Sequence, residues 1–167
     1  PESTISISGT NRCPRPSTGF SERPTGDHAM LESDEVLRLH VEVGEPKTVG
    51  NTGAGRLIII PIIGGTFEGN VLRGKVLPGG ADWNTQLDGG ISHVHARYWL
   101  ETDDGDIIAV DNEGYINHNE EEARVRTTPR FTCDVNGKYA FLTRGVFAGE
   151  LKSAGINAVD IVVYRLR

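Results

Sequence analysis

His93-Val94-His95-Ala96-Arg97-Tyr98-Trp99-Leu100-Glu101-Thr102, then Asp103-Asp104-Gly105, then Asp106-Ile107-Ile108-Ala109-Val110-Asp111 is the stretch that decides the fold. In its first ten residues His93, His95, Arg97, Trp99 and Glu101 alternate with Val94, Ala96, Tyr98 and Leu100. A period of two is the signature of a strand with one face covered. The Asp-Gly pair that follows supplies the positive φ a tight hairpin turn needs. The chain then returns in a second apolar run. This is a β-hairpin.

The same grammar extends outward. Leu37, Leu39, Val41 and Val43 alternate with Arg38, His40 and Glu42. Residues 56–63 read as a strand, Gly64-Gly65 interrupts it, and 66–69 continue extended. Residues 71–77 form another strand, which Pro78-Gly79-Gly80 is expected to stop. Asn112-Glu113-Gly114 reads as a turn, 123–134 as one or two strands, and Asn136-Gly137 as a hairpin turn before 138–148. Residues 157–167 close the chain, and a single helical turn is expected at 150–154. Eight to ten short strands with turns about every ten residues mean an all-β fold, either a sandwich or a closed antiparallel barrel. The 21 glycines among 167 residues fit this, being nearly twice the average share of roughly 7%.

Residues 1–33 differ in kind. Pro14, Pro16 and Pro24 lie among Ser, Thr, Gly and Arg with almost no apolar periodicity. Such a segment buries too little apolar surface to offset its ordering entropy. It is expected to be a flexible N-terminal arm, with 34–167 as a single domain. Seventeen basic against twenty-three acidic side chains give a net charge of -6, which disfavours binding to nucleic acid or to a membrane surface. No apolar run approaches the roughly 18 residues of a membrane span. Cys13 and Cys133 make no disulfide framework. The compartment stays open, with the cytoplasm favoured.

The sequence has no phosphate loop, no dinucleotide fingerprint, no paired cysteines at zinc spacing and no serine elbow. No cofactor is expected. His93 and His95 share a strand face and could hold a metal with Glu68 or His118. A polar or solvated wall is the preferred reading, so no metal is expected. Glu68 stands between Phe67 and Gly69 in a stretch with little other charge. In a dry lumen its pKa would rise toward neutrality and suit acid–base work, whereas on a surface it would do nothing. Asp82 and Trp83 follow the Pro78-Gly79-Gly80 stop, where a carboxylate caps a turn or meets a ligand and an indole gives it a platform. Arg73, Arg97 and Arg144 are cations in apolar strands, paired with carboxylates or binding an anionic group. Tyr98 and Tyr139 are core aromatics whose hydroxyls could donate a hydrogen bond.

Taken in order, Gly64-Gly65-Thr66-Phe67-Glu68-Gly69, Leu72-Arg73-Gly74, Pro78-Gly79-Gly80-Ala81-Asp82-Trp83 and Thr102-Asp103-Asp104-Gly105 resemble the domain-of-unknown-function family 3237, over about residues 37–164. The resemblance implies a calycin-like, lipocalin-type barrel with an internal cavity. Glu68, Arg73, Asp82, Trp83, Arg97, Asp104 and Arg144 match the family pattern. The chain departs from it at His95, where an acidic residue is expected, and at Phe141-Leu142-Thr143, where Trp-Leu-Asn is more usual. A retuned pocket follows from those two changes.

Two functions fit. The favoured one is a cofactor-independent isomerase, cyclase or lyase acting on a small hydrophobic or aromatic, polyketide-like molecule. Glu68, Asp82 or His95 would move the proton, and Arg97 or Tyr98 would stabilise an enolate-like oxygen. Phe67, Arg73, Trp83, Phe141 and Arg144 would bind the substrate. The alternative is a carrier with the same cavity and no chemistry. Edge strands could also pair two copies into a homodimer.

Overall fold

The computed structural model describes residues 31–120 and 125–167, so the expected N-terminal arm falls almost wholly outside the described residues. Nine strands follow one another: β1 (Ser33–Val43), β2 (Lys47–Asn51), β3 (Arg56–Glu68), β4 (Arg73–Leu87), β5 (Ile91–Thr102), β6 (Ile107–Asn117), β7 (Val125–Thr132), β8 (Val146–Ser153) and β9 (Ala158–Leu166). Each of β3 to β8 pairs antiparallel with the next, β9 pairs with β1, and β1 pairs with β3. Eight strands thus close a barrel, and β2 flanks it on β3. Closure leaves no free edge around the wall, which removes the pairing hazard of an open sheet.

The hairpin expected at 93–111 is formed. β5 and β6 pair continuously from Ile91↔Asn117 to Glu101↔Ile107, and Gly105 takes φ +89° in the turn between them. The inward face is now fixed: Val94, Tyr98, Leu100, Ile108 and Val110 are buried. His93, His95, Arg97, Trp99 and Glu101 therefore line the outer surface of β5.

Three expected breaks are absent, for local reasons. Pro78-Gly79-Gly80 does not stop β4, because two extra residues between Leu77 and Ala81 are absorbed as a bulge against β5. Gly79 takes φ +115°, and a side chain at Gly80 would collide with the backbone and side chain of Tyr98. Asn112-Glu113-Gly114 does not turn; it runs straight through β6 because Asn112 and Gly114 each have paired neighbours on both sides. The helical turn expected at 150–154 is instead strand β8, paired with β9 up to Ser153.

Among the described residues the one short helix lies elsewhere, as a 3-10 turn at Ala140–Thr143. Asn136-Gly137 does not close a two-residue hairpin. The Asp134 carboxylate accepts the Asn136 N–H at 2.9 Å, and Gly137 and Ala140 continue a chain of turn bonds. That longer path carries Tyr139 and Leu142 into the end of the barrel, where both are buried. The Tyr139 hydroxyl donates to Asp104 at 2.6 Å and so ties this plug to the β5–β6 turn. Around it Leu37, Leu39, Phe67, Leu72, Leu100, Ile108, Phe131, Phe147 and Val163 form one continuous core.

Candidate functional site

The other half of the lumen is not filled. A cavity of about 180 Å³ is lined by Val41, Val43, Ile60, Ile62, Val94, Ala96, Ile116, Leu151, Val159 and Ile161, and by the polar residues Asp82, Asn84, Tyr98, Asn112 and Thr127. The polar residues arrive there by register. Ile60, Asp82, Ala96, Asn112 and Pro129 stand opposite one another across β3, β4, β5, β6 and β7, and residues directly opposite in antiparallel strands share a face. The bulge in β4 inserts two residues rather than one, so it conserves parity: Val76 and Asp82 both point inward. A single insertion would have thrown Asp82 out.

Asp82 is the carboxyl group of the cavity. Its Oδ1 accepts the backbone N–H of His95 at 2.8 Å, which fixes the side chain against the wall. Burial among apolar side chains pushes its pKa above the ordinary aspartate value, and the His95 N–H and Asn84 side chain offset only part of that. Burial likewise pushes the Tyr98 phenol up, so it remains a hydrogen-bond donor throughout the physiological range. Asn112 and Thr127 are each only 3% exposed. Their side-chain oxygens, Asn112 Oδ1 and Thr127 Oγ1, have no hydrogen-bond partner among the described residues.

Of the ten side chains expected at the site, the structure brings Asp82 and Tyr98 to the cavity. Glu68 is on the outer surface, not in a dry lumen. In β3, Ile60 and Ile62 set an inward parity that would include Glu68, but a one-residue bulge at Ile63, between the partners of Val43 and Glu42 on β1, reverses it. Phe67 turns inward instead, into the packed core and away from the cavity. His95 contributes only its backbone; its ring lies outside, with Nε2 2.9 Å from Asp111. Arg97 is outside too, 3.5 Å from the same carboxylate and two-thirds exposed. Arg73 pairs with Asp103 at 3.3 Å on the surface. Trp83 and Trp99 are exposed on the outer wall. Phe141 sits in the 3-10 turn and packs against the plugged end. Arg144 is exposed at the end of that turn, its guanidinium donating to the Val135 carbonyl.

His93 and His95 are therefore members of an external ladder of polar contacts. Glu113 lies 3.5 Å from His93 and 2.9 Å from Arg130, while Asp111 bridges His95 and Arg97. No cluster of three or more His, Cys, Asp or Glu side chains suited to a metal occurs among the described residues. Asn84, Asn112 and Thr127 were missed in the sequence. Their signal was available: polar residues at inward positions once the face of β5 is known.

This geometry defines a closed, antiparallel, eight-stranded barrel with an internal cavity and a carboxyl group inside it. The chain belongs to the family described as "Protein of unknown function (DUF3237)", whose model matches residues 32–166. A UPF0311 protein of Bradyrhizobium diazoefficiens is 35% identical over 147 residues, covering 80% of this chain and 93% of the relative. The crystal structure of a beta-barrel like protein from Acinetobacter baumannii superposes with a TM-score of 0.75 at 30% identity, over 83% of this chain and 98% of that one. A crystallised enzyme from Penicillium herquei shares the fold with a TM-score of 0.67 at 19% identity, over 89% of this chain and all of that one.

Proposed function

We propose that this protein is a cofactor-independent enzyme that holds a small hydrophobic or aromatic, polyketide-like molecule in the barrel and moves a proton through Asp82. The observation that carries the reading is a single carboxyl group aimed into an otherwise largely apolar cavity. A passive apolar container has no use for it, since a carboxyl buried among apolar side chains costs stability even when partly hydrogen-bonded. The raised pKa makes the Asp82 carboxylate a stronger base than an ordinary aspartate. Asp82 as carboxylate takes a proton from a carbon beside a carbonyl, Tyr98 donates a hydrogen bond to the oxygen that gains charge, and Asp82 returns the proton at another atom. Isomerisation, cyclisation and elimination all share that step. That a fungal protein of this fold is described as an enzyme supports catalysis on the scaffold.

A carrier role is the second reading, favoured by the preponderance of apolar lining. One experiment separates the two. Wild type and Asp82→Asn are incubated with extract of the source organism, and retained compounds are identified by native mass spectrometry and chromatography. The enzyme reading expects wild type to convert a compound to an isomer or a dehydrated product, while Asp82→Asn retains it unchanged. Retention of the same unaltered compound by both proteins overturns catalysis.

A further inference from the structure

Asp82 is one polar point on the cavity wall; two strands further round, the wall has another. Asp82 on β4 and Asn112 on β6 both face Ala96 on β5 across the same row. They stand two strand spacings apart, about 9–10 Å along the wall. Ala96, with its single methyl group, leaves the space between them open. Thr127 on β7 lies opposite Gly114 on β6 and Gly149 on β8. A Cβ on Gly114 would come within 2.9 Å of the Thr127 methyl, and one on Gly149 would collide with its hydroxyl. The two glycines therefore make the seat in which Thr127 is held.

Burying a hydrogen-bonding atom without a partner is costly, and native interiors rarely do it. Two such atoms, on side chains of adjacent strands that line one cavity, have no hydrogen-bond partner among the described residues. We propose that Asn112 and Thr127 form a second hydrogen-bonding subsite, so that the molecule bound in the lumen is a compact ring compound with polar oxygen groups at both ends. This rests on the reading of the lumen as a binding site and adds a requirement to it. Asp82 and Tyr98 engage one end of the ligand, and the Asn112 oxygen and Thr127 hydroxyl engage a hydroxyl at the other.

Three probes of one shape test it: 1,4-dimethylbenzene, 4-methylphenol and 1,4-dihydroxybenzene, carrying no, one and two hydroxyl groups. Each is titrated by NMR into the full chain as wild type, Thr127→Val, Thr127→Ser and Asn112→Leu. Thr127→Val and Asn112→Leu are expected to weaken 1,4-dihydroxybenzene about tenfold, the worth of one hydrogen bond, and to leave 1,4-dimethylbenzene unchanged or tighter. Thr127→Ser keeps the hydroxyl and is expected to retain wild-type affinity, which guards against a purely structural effect. If wild type binds all three probes and neither Thr127→Val nor Asn112→Leu weakens the diol, the second subsite is overturned while the binding cavity stands. If wild type binds none of the three, both fall. Should Asn112→Leu fail to fold, the near-isosteric Thr127→Val and Thr127→Ser decide the matter.

Discussion

The two halves of the barrel interior are built by the same strands to different ends. On β6, Ile108 and Val110 give way to Asn112 and Gly114; on β8, Phe147 gives way to Gly149; on β5, Leu100 gives way to Ala96. One half is closed by Tyr139 and Leu142 and filled by aromatic and branched side chains. The other keeps a cavity whose wall carries Asp82, Asn112 and Thr127. The packed half supplies stability. The hollow half gives some up, through small residues and unsatisfied polar atoms, and the proposed function resides there.

The difference predicts opposite responses to substitution. At the packed end, Leu100→Ala or Leu142→Ala removes a fully enclosed side chain and is expected to cost about 2–5 kcal/mol, measured by urea unfolding. At the hollow end, Ala96→Leu fills open space and is expected to leave stability within about 1 kcal/mol, while abolishing ligand retention. An equal loss of stability at both ends would erase the distinction. Thr127→Val exchanges an unpartnered hydroxyl for a methyl of similar shape, so it is expected to stabilise the protein by roughly 1 kcal/mol. Destabilisation by thermal melting would mean that the hydroxyl is already satisfied in the free protein.

Two smaller effects carry a pH signature. Burial raises the folded-state pKa of Asp82, so between the ordinary aspartate value and that raised value the folded protein holds a proton the unfolded chain has lost. Stability therefore falls as pH climbs through this window, and Asp82→Asn is expected to remove the fall in unfolding curves taken across pH. At the plugged end the sign is reversed. Hydrogen bonds from Lys138 and Tyr139 hold Asp104 below the ordinary range, so its contribution is present at neutral pH and is lost as pH falls through the depressed value. Asp104→Asn is expected to lower Tm slightly at neutral pH and to converge with wild type in acid. The group is exposed, so this is the smallest effect.

How much of this was legible in the sequence depended on parity. Alternation identified the strands from Leu37 to Val43 and from His93 to Thr102, and the Asp103-Asp104-Gly105 turn, because period and turn chemistry are local. Which face looked inward was not local. A one-residue bulge at Ile63-Gly64 exchanged Glu68 for Phe67, and a two-residue bulge at Pro78-Gly79-Gly80 kept Asp82 inside. Both signals are glycine-rich, and only the pairing partners on β5 and β1 reveal how many residues each insertion absorbs. Asp82 and Tyr98 were legible as candidates; Asn84, Asn112 and Thr127 were not, since their inward placement follows only once the face of β5 and the bulge in β4 are known. The histidine pair allowed a metal alternative; the structure places both rings on the outer wall, beside Glu113 and Asp111.

The decisive titration is that of the Asp82 side chain itself, followed by carbon-13 NMR of the carboxyl carbon, with Asp82→Asn to assign the signal. A midpoint clearly above the ordinary aspartate value of about 4 is predicted, and it should move when a ligand enters the lumen. A midpoint at or below that value, indifferent to every ligand, would mean a solvated carboxylate and would remove Asp82 from any acid–base role.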